Sequence, residues 1–385
     1  SPWAFYSVDN MTSTLVFFVV GLVLLVQGGR WLVQGSSGLA GRLGISPIVV
    51  GLTVVAFGTS APELAVSLRA ALGGSGDLAL GNVVGSNICN TLLILGLCAV
   101  ARPLLIGVRV LRNDLPFMLA LYGLLWMLGR DGNLSRVDGG VFVAILVVWT
   151  SWTVIQSRRE SLRVRQEFEE VQQPIAARPG WLLGLMVVGG LVLLTTGASF
   201  LVDSAVTIAR MVGLSELIIG LTIVAVGTSL PEVAASFLAN LRGESDIAIG
   251  NVLGSNVFNV LSVLGLTGLI APGGINVPAS ATAFDLPIMI VTGVLCLPVF
   301  YNHGRLTRWE GAIFLVYYAC YLTFLVLSAI EHPFLARFNE IVLVFILVPT
   351  LLTVVTGAIR TRRLSKHPIA EDETNSGEPS RESQA

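Results

Sequence analysis

Eleven stretches of this chain are apolar for about as long as a helix needs to cross the hydrocarbon core of a bilayer, roughly 20 residues. They fall near 13–34, 47–72, 78–101, 114–129, 137–157, 181–203, 216–240, 247–270, 283–301, 309–329 and 337–359. Inside lipid every backbone N–H and C=O must find a partner within the protein, so such stretches are confined to helices or a closed barrel. These runs are continuous and not alternating, which predicts helices. Composition agrees: 54% of the 385 residues are hydrophobic and 12% are charged, against about 25% charged in a soluble domain. A water-soluble fold is excluded. So are a disordered chain, which needs low hydrophobicity, and a nucleic-acid binder, which needs a basic surface, since the net charge is −1.

Arg and Lys give the orientation, because they concentrate in cytoplasmic loops. With eleven spans and the N-terminus outside, 18 of the 23 basic residues fall inside, among them Arg158, Arg159, Arg163, Arg165, Arg360, Arg362, Arg363 and Lys366. Outside lie Arg69, Arg130, Arg136, Arg210 and Arg337. Residues 1–12 read as an N-terminal extension, 158–180 as a polar cytoplasmic linker with a short surface helix, and 360–385 as a disordered cytoplasmic tail.

The chain also contains one element twice. Gly51–Leu97 and Gly220–Leu266 align without a gap at an offset of 169, with 28 identities in 47 positions. The identities include Thr, Ser, Pro, Glu, Asp and Asn, which similarity between apolar helices does not produce. The copies occupy spans two and three and spans seven and eight. Five spans separate them, and five is odd, so the second copy enters the membrane inverted. Inverted repeats with a midplane site between them are a secondary-transporter architecture.

Each copy opens on a proline-broken helix: Gly58-Thr59-Ser60-Ala61-Pro62-Glu63, and Gly227-Thr228-Ser229-Leu230-Pro231-Glu232. Proline lacks an N–H and clashes with the carbonyl four residues back. The break predicts freed carbonyls at Gly58 and Gly227 and loosened ones at Ala56 and Ala225, ready to bind cations. The spacing of Thr59, Ser60 and Glu63 predicts that all three share one helix face, as do Thr228, Ser229 and Glu232. A mid-membrane carboxylate costs at least about 2.5–3.5 kcal/mol. No Lys or Arg lies at similar depth in either copy, so the compensator is a cation or protons.

The second helix of each copy carries a polar stripe, Asn82, Ser86 and Asn90, repeated as Asn251, Ser255 and Asn259. Asp77 and Asp246 at its start read as helix caps. Two carboxylates, two Thr hydroxyls and freed carbonyls offer about six to eight hard oxygens, which suits Ca²⁺; Mg²⁺ holds its water and demands an octahedron. Uncharged Ser, Asn and carbonyl oxygens suit Na⁺. Transition metals would call for His or Cys, and Cys89 has Phe258 as its counterpart.

The paired GTSAPE/GNVVGSN and GTSLPE/GNVLGSN segments resemble the alpha-repeats of the sodium/calcium exchanger family, within the cation/calcium antiporter superfamily, and most closely its prokaryotic members. The resemblance implies an all-α polytopic membrane protein with two inverted five-helix repeats (13–157 and 181–329), a ten-helix core. The span at 337–359 is an addition to that core. It implies alternating-access exchange of Na⁺ for Ca²⁺ across a bacterial or archaeal cytoplasmic membrane. Membrane lipid and the two ions are then the partners, with no nucleic acid, no cofactor and no enzyme activity, and the oligomeric state is left open. By resemblance Glu63, Glu232, Thr59 and Thr228 bind Ca²⁺. Ser60, Ser229, Ser86, Ser255, Asn90, Asn259 and the carbonyls of Ala56 and Ala225 bind Na⁺. The rival within the superfamily is a proton/calcium antiporter. A hydrolase using two carboxylates as acid and base is disfavoured by their symmetric surroundings, because acid and base need unlike ones.

Overall fold

The computed structural model describes residues 11–171, 178–214 and 216–342. It is almost entirely helical. Seven unbroken helices are long and apolar enough to cross a membrane, and an eighth crossing is bent. In chain order the elements are α1 (Met11–Leu43), α2 (Pro47–Thr59) and α3 (Ala61–Leu72), α4 (Gly76–Ala101), α5 (Leu115–Leu128), α6 (Arg136–Val171), α7 (Gly180–Met211), α8 (216–227) and α9 (Leu230–Leu241), α10 (Ser245–Ile270), α11 (Ala281–Phe300), α12 (Arg308–Ala329) and α13 (Leu335–Val342).

The break between α2 and α3 is a 44° bend at Ser60, whose ψ of 5° is not helical. Pro62 explains its place, because it takes one hydrogen bond out of the ladder there. The neighbouring bonds, Ser60 N–H to the Ala56 carbonyl and Leu64 N–H to the Ser60 carbonyl, survive at 3.0 and 3.1 Å. Ser229 breaks α8 from α9 in the same way, with ψ 4°.

Two short antiparallel ribbons record the inversion. β1 (Leu104–Leu105) pairs with β4 (Arg305–Leu306), and β2 (Asn133–Leu134) with β3 (Ile275–Asn276). β1 follows the first copy's second helix as β3 follows the second's. These mates sit in different ribbons, at the two ends of the apolar crossing that holds α5. Each ribbon therefore joins one strand from each half of the chain, as an inverted pair requires.

Outside this centre, α1 and α7 cross antiparallel along a seam of glycines. A Cβ on Gly21 would lie 2.9 Å from the Gly197 carbonyl oxygen, and one on Gly28 2.8 Å from that of Gly190. Small residues at such intervals let helix backbones approach closely in lipid. The outer surfaces of α1 and α7 are apolar and exposed, at Val19, Val23, Val188 and Val192. Exposed Trp181 and Trp309 mark helix starts, where indoles settle at a bilayer interface.

The structure departs from the sequence expectation in three places. The short surface helix expected in the linker is a continuous extension of α6 to Val171. Asp77 and Asp246 are not N-caps: Ser75 and Glu244 occupy those positions, and the two aspartates fall in the first turn, where a carboxylate complements the helix dipole. The motif helices also contain π-type turns at Gly51–Val55, Cys89–Ile94, Gly220–Val224 and Asn259–Leu264. Such turns are rare and gather at functional sites; no residue pattern here announces them. Residues 1–10, the end of the expected eleventh span beyond Val342, and the tail lie outside the described residues.

Candidate cation site between the repeats

The ends of α2, the start of α3 and their mates in α8 and α9 converge with α4 and α10. Glu63 and Glu232 are both fully buried. Each sits in the first turn of the helix that restarts after the break, so the positive end of that helix faces its carboxylate. Among the described residues no third acidic, His or Cys side chain joins them as a metal-ligating cluster.

The serines do not lie with the glutamate of their own helix, as a continuous helix would place them. Ser60 Oγ donates to Glu232 Oε1 at 3.2 Å, and Ser229 Oγ donates to Glu63 Oε1 at 3.4 Å. The bend turns each serine across the interface into the other copy. Thr59 also leaves the Glu63 face: its hydroxyl donates to Asn251 Oδ1 at 3.1 Å and lies 3.4 Å from Ser255 Oγ. Thr59 and Ser255 flank Glu232, while Thr228 and Ser229 flank Glu63.

The polar stripes meet back to back. Asn82 and Asn251 brace the breaks, donating to Ser67 Oγ at 3.0 Å and Ser236 Oγ at 2.9 Å, and to the Glu63 and Glu232 carbonyls at 3.3 and 3.5 Å. Asn90 and Asn259 donate to Asn256 and Asn87, each in the opposite copy, at 3.1 and 3.0 Å. Asn87, Asn256, Ser67 and Ser236 were not singled out by the sequence reading, although Asn87 and Asn256 close the repeated GSN triplets and could have been found there.

Six buried oxygen atoms in this cluster have no hydrogen-bond partner: Glu63 Oε2, Glu232 Oε2, Thr228 Oγ1, Ser86 Oγ, Asn90 Oδ1 and Asn259 Oδ1. A buried acceptor without a partner costs about 1–3 kcal/mol, more if charged. Together the six have the composition of a hard-cation shell. The Ala56 carbonyl already accepts the Ser60 N–H at 3.0 Å and lies 3.4 Å from the Thr59 hydroxyl oxygen. At the mate position, Ser229 N–H turns instead to the Val226 carbonyl at 3.1 Å.

The two halves are not in the same state. α2 is pressed against α10: a Cβ on Gly51 would meet the Ile247 carbonyl at 2.8 Å, one on Gly250 the Ile48 carbonyl at 2.6 Å, and one on Gly254 the Leu52 carbonyl at 2.7 Å. The mates Gly220, Gly81 and Gly85 have nothing within 4 Å. Gly51 and Gly250 are buried whereas Gly220 and Gly81 are exposed. Thr59 is buried and Thr228 only half so, as are Asn251 and Asn82. α2 is thus tightly packed on α10, while the α8–α4 seam is looser at its glycines.

Two buried carboxylates with buried, uncharged hard oxygens on the same repeated motifs, between inverted halves, are the features of a membrane transporter of metal cations. The chain belongs to the sodium/calcium exchanger protein family, whose profile matches residues 13–155 and 182–327. It is 40% identical over 318 residues to CaxA of Alkalimonas amylolytica, covering 81% of this chain and 98% of that protein. It is 30% identical over 352 residues to the sodium/calcium exchanger MaX1 of Methanosarcina acetivorans, covering 82% of this chain and 99% of that one. A solved structure of the sodium-calcium exchanger NCX_Mj, soaked with zero Na⁺ and Ca²⁺, superposes with a TM-score of 0.68 at 30% identity, over 80% of this chain and 96% of that chain. The protein is thus an integral membrane cation/Ca²⁺ antiporter, a transporter by family.

Proposed function

We propose that the protein exchanges Na⁺ for Ca²⁺ by alternating access, with Glu63, Glu232, Thr59 and Thr228 holding Ca²⁺. Ser60, Ser229, Ser86, Ser255, Asn90, Asn259 and the carbonyls of Ala56 and Ala225 complete Na⁺ sites around it. The observation that carries this reading is the set of six unpartnered buried oxygens, two on carboxylates and four on uncharged groups. Ca²⁺ alone neutralises a pair of carboxylates, as do two Na⁺, so the two cargoes compete for one charge. The two carboxylates could take protons, but the added uncharged hydroxyl and amide oxygens are ligands for a metal cation and no base for a proton, which favours Na⁺ as the coupling ion.

In this reading residues 13–157 and 181–329 are the two inverted units, 158–180 joins them in the cytoplasm, and the chain beyond 337 is an added span and tail. The N-terminus lies outside, from the distribution of Arg and Lys. The looser α8–α4 seam then lies toward the outside, and the tight α2–α10 seam toward the cytoplasm. The deciding experiment is ⁴⁵Ca²⁺ uptake into proteoliposomes under an outward Na⁺ gradient or an outward H⁺ gradient. Uptake driven by Na⁺ alone is expected; uptake driven by H⁺ alone would make the protein a proton/calcium antiporter.

A further inference from the structure

An amide side chain has nearly the same shape whichever way round it sits, so packing alone cannot choose whether its oxygen or its NH₂ faces a site. Only the chemistry of its neighbours can choose. At a cation site the choice decides whether the group attracts the ion or repels it.

We propose that Asn87 and Asn256 are the positioning residues that turn the Asn259 and Asn90 amides oxygen-first toward the cations. This rests on Asn90 and Asn259 being ligands. Asn259 Nδ2 donates to Asn87 Oδ1 at 3.0 Å, and Asn90 Nδ2 donates to Asn256 Oδ1 at 3.1 Å. The opposite atoms, Asn259 Oδ1 and Asn90 Oδ1, are buried and without a partner. They therefore point where a cation is the remaining complement.

The holders are themselves fixed by groups whose direction cannot reverse. Asn87 Nδ2 donates to the Asn256 carbonyl at 3.3 Å and faces the Met289 sulfur at 3.7 Å. Asn256 Nδ2 donates to Thr91 Oγ1 at 3.1 Å. That hydroxyl spends its own proton on the Asn87 carbonyl at 2.9 Å, so it can only accept from Asn256. Both relays end on backbone carbonyls, which only accept. Each relay runs from a backbone carbonyl of one copy through the asparagine holder of the other and back to the oriented amide, so the halves must stay in register for the site to keep its polarity. Asn87 and Asn256 are fully buried, and both amide atoms of each are already engaged with protein groups.

The test uses the full chain in proteoliposomes and reads the Na⁺ concentration that half-saturates Ca²⁺ exchange. Asn87→Leu removes the acceptor and should raise that concentration about tenfold, the order of one hydrogen bond to a charged group. In an Asn259→Asp background the same substitution should shift it less than about twofold, because a carboxylate presents an oxygen either way round. Asn256→Leu against Asn90→Asp is the mirror pair, and Asn87→Ser replaces Asn87→Leu if the larger change prevents folding. Equal shifts in both backgrounds, or no shift in either, would overturn the proposal. If Asn259→Ala and Asn90→Ala leave the Na⁺ dependence unchanged, the ligand reading beneath it is what fails.

Discussion

Ser60 of the first repeat donates its hydroxyl to Glu232 of the second, at 3.2 Å, and Ser229 returns the arrangement to Glu63 at 3.4 Å. Each carboxylate thus has one oxygen steadied from across the interface and one left unpartnered. A steadied carboxylate with a free oxygen is a preorganised ligand: the entropy of ordering it is spent on folding and not on binding.

Replacing either glutamate removes one charge from the pair. Glu63→Gln and Glu232→Gln should each lower ⁴⁵Ca²⁺ exchange at least about 100-fold, since losing one partner of a buried charged contact costs about 3–5 kcal/mol. Both proteins should still elute as the folded species on size exclusion. Near-normal exchange in both would remove these residues from the site.

Acid should inhibit. A proton on either carboxylate takes away the charge that a cation neutralises, so H⁺ competes with Ca²⁺ and Na⁺. Exchange measured from neutral to mildly acidic pH is expected to fall and to recover on return. A flat profile would argue that the pair is hydrated more than its full burial suggests.

The glycine asymmetry predicts opposite phenotypes for repeat mates. Gly250→Val drives a side chain against the Ile48 carbonyl and should destabilise the fold by about 1–3 kcal/mol, read as a lower Tm. Gly81→Val and Gly220→Val enter open space in this state and should leave Tm unchanged. They should nevertheless slow exchange about tenfold or more, because the opposite state needs those backbones in contact. Wild-type exchange in both would show that α8 never closes on α4 as α2 has closed on α10.

Orientation has a direct assay. Ser280 is exposed in the connection that follows β3, on the outer face if the N-terminus is outside. A cysteine there should react with an impermeant thiol reagent added to intact cells, and one at Ser376 should not. Reversed labelling would invert the assignment and, with it, the side on which the looser α8–α4 seam lies.

The sequence by itself determined the membrane class, the duplication and its inversion, because these rest on quantities local to the chain: apolar run length, a fixed 169-residue offset and the parity of crossings. It also supplied Glu63, Glu232 and the Ser/Asn stripes, because a carboxylate beside proline in an apolar helix has few uses other than binding. Tertiary structure decided who meets whom. Helical spacing put Thr59, Ser60 and Glu63 on one face. The 44° bend at Ser60 carried that serine to Glu232 and Thr59 to Asn251, since a break rotates the residues on its two sides relative to each other. The roles of Asn87 and Asn256 were equally out of reach, because their partners lie 172 and 166 residues away along the chain. The difference between the tight and the loose glycine seam was out of reach too. The glycines concerned recur in both copies, so only the packing of one copy against the other makes them unequal.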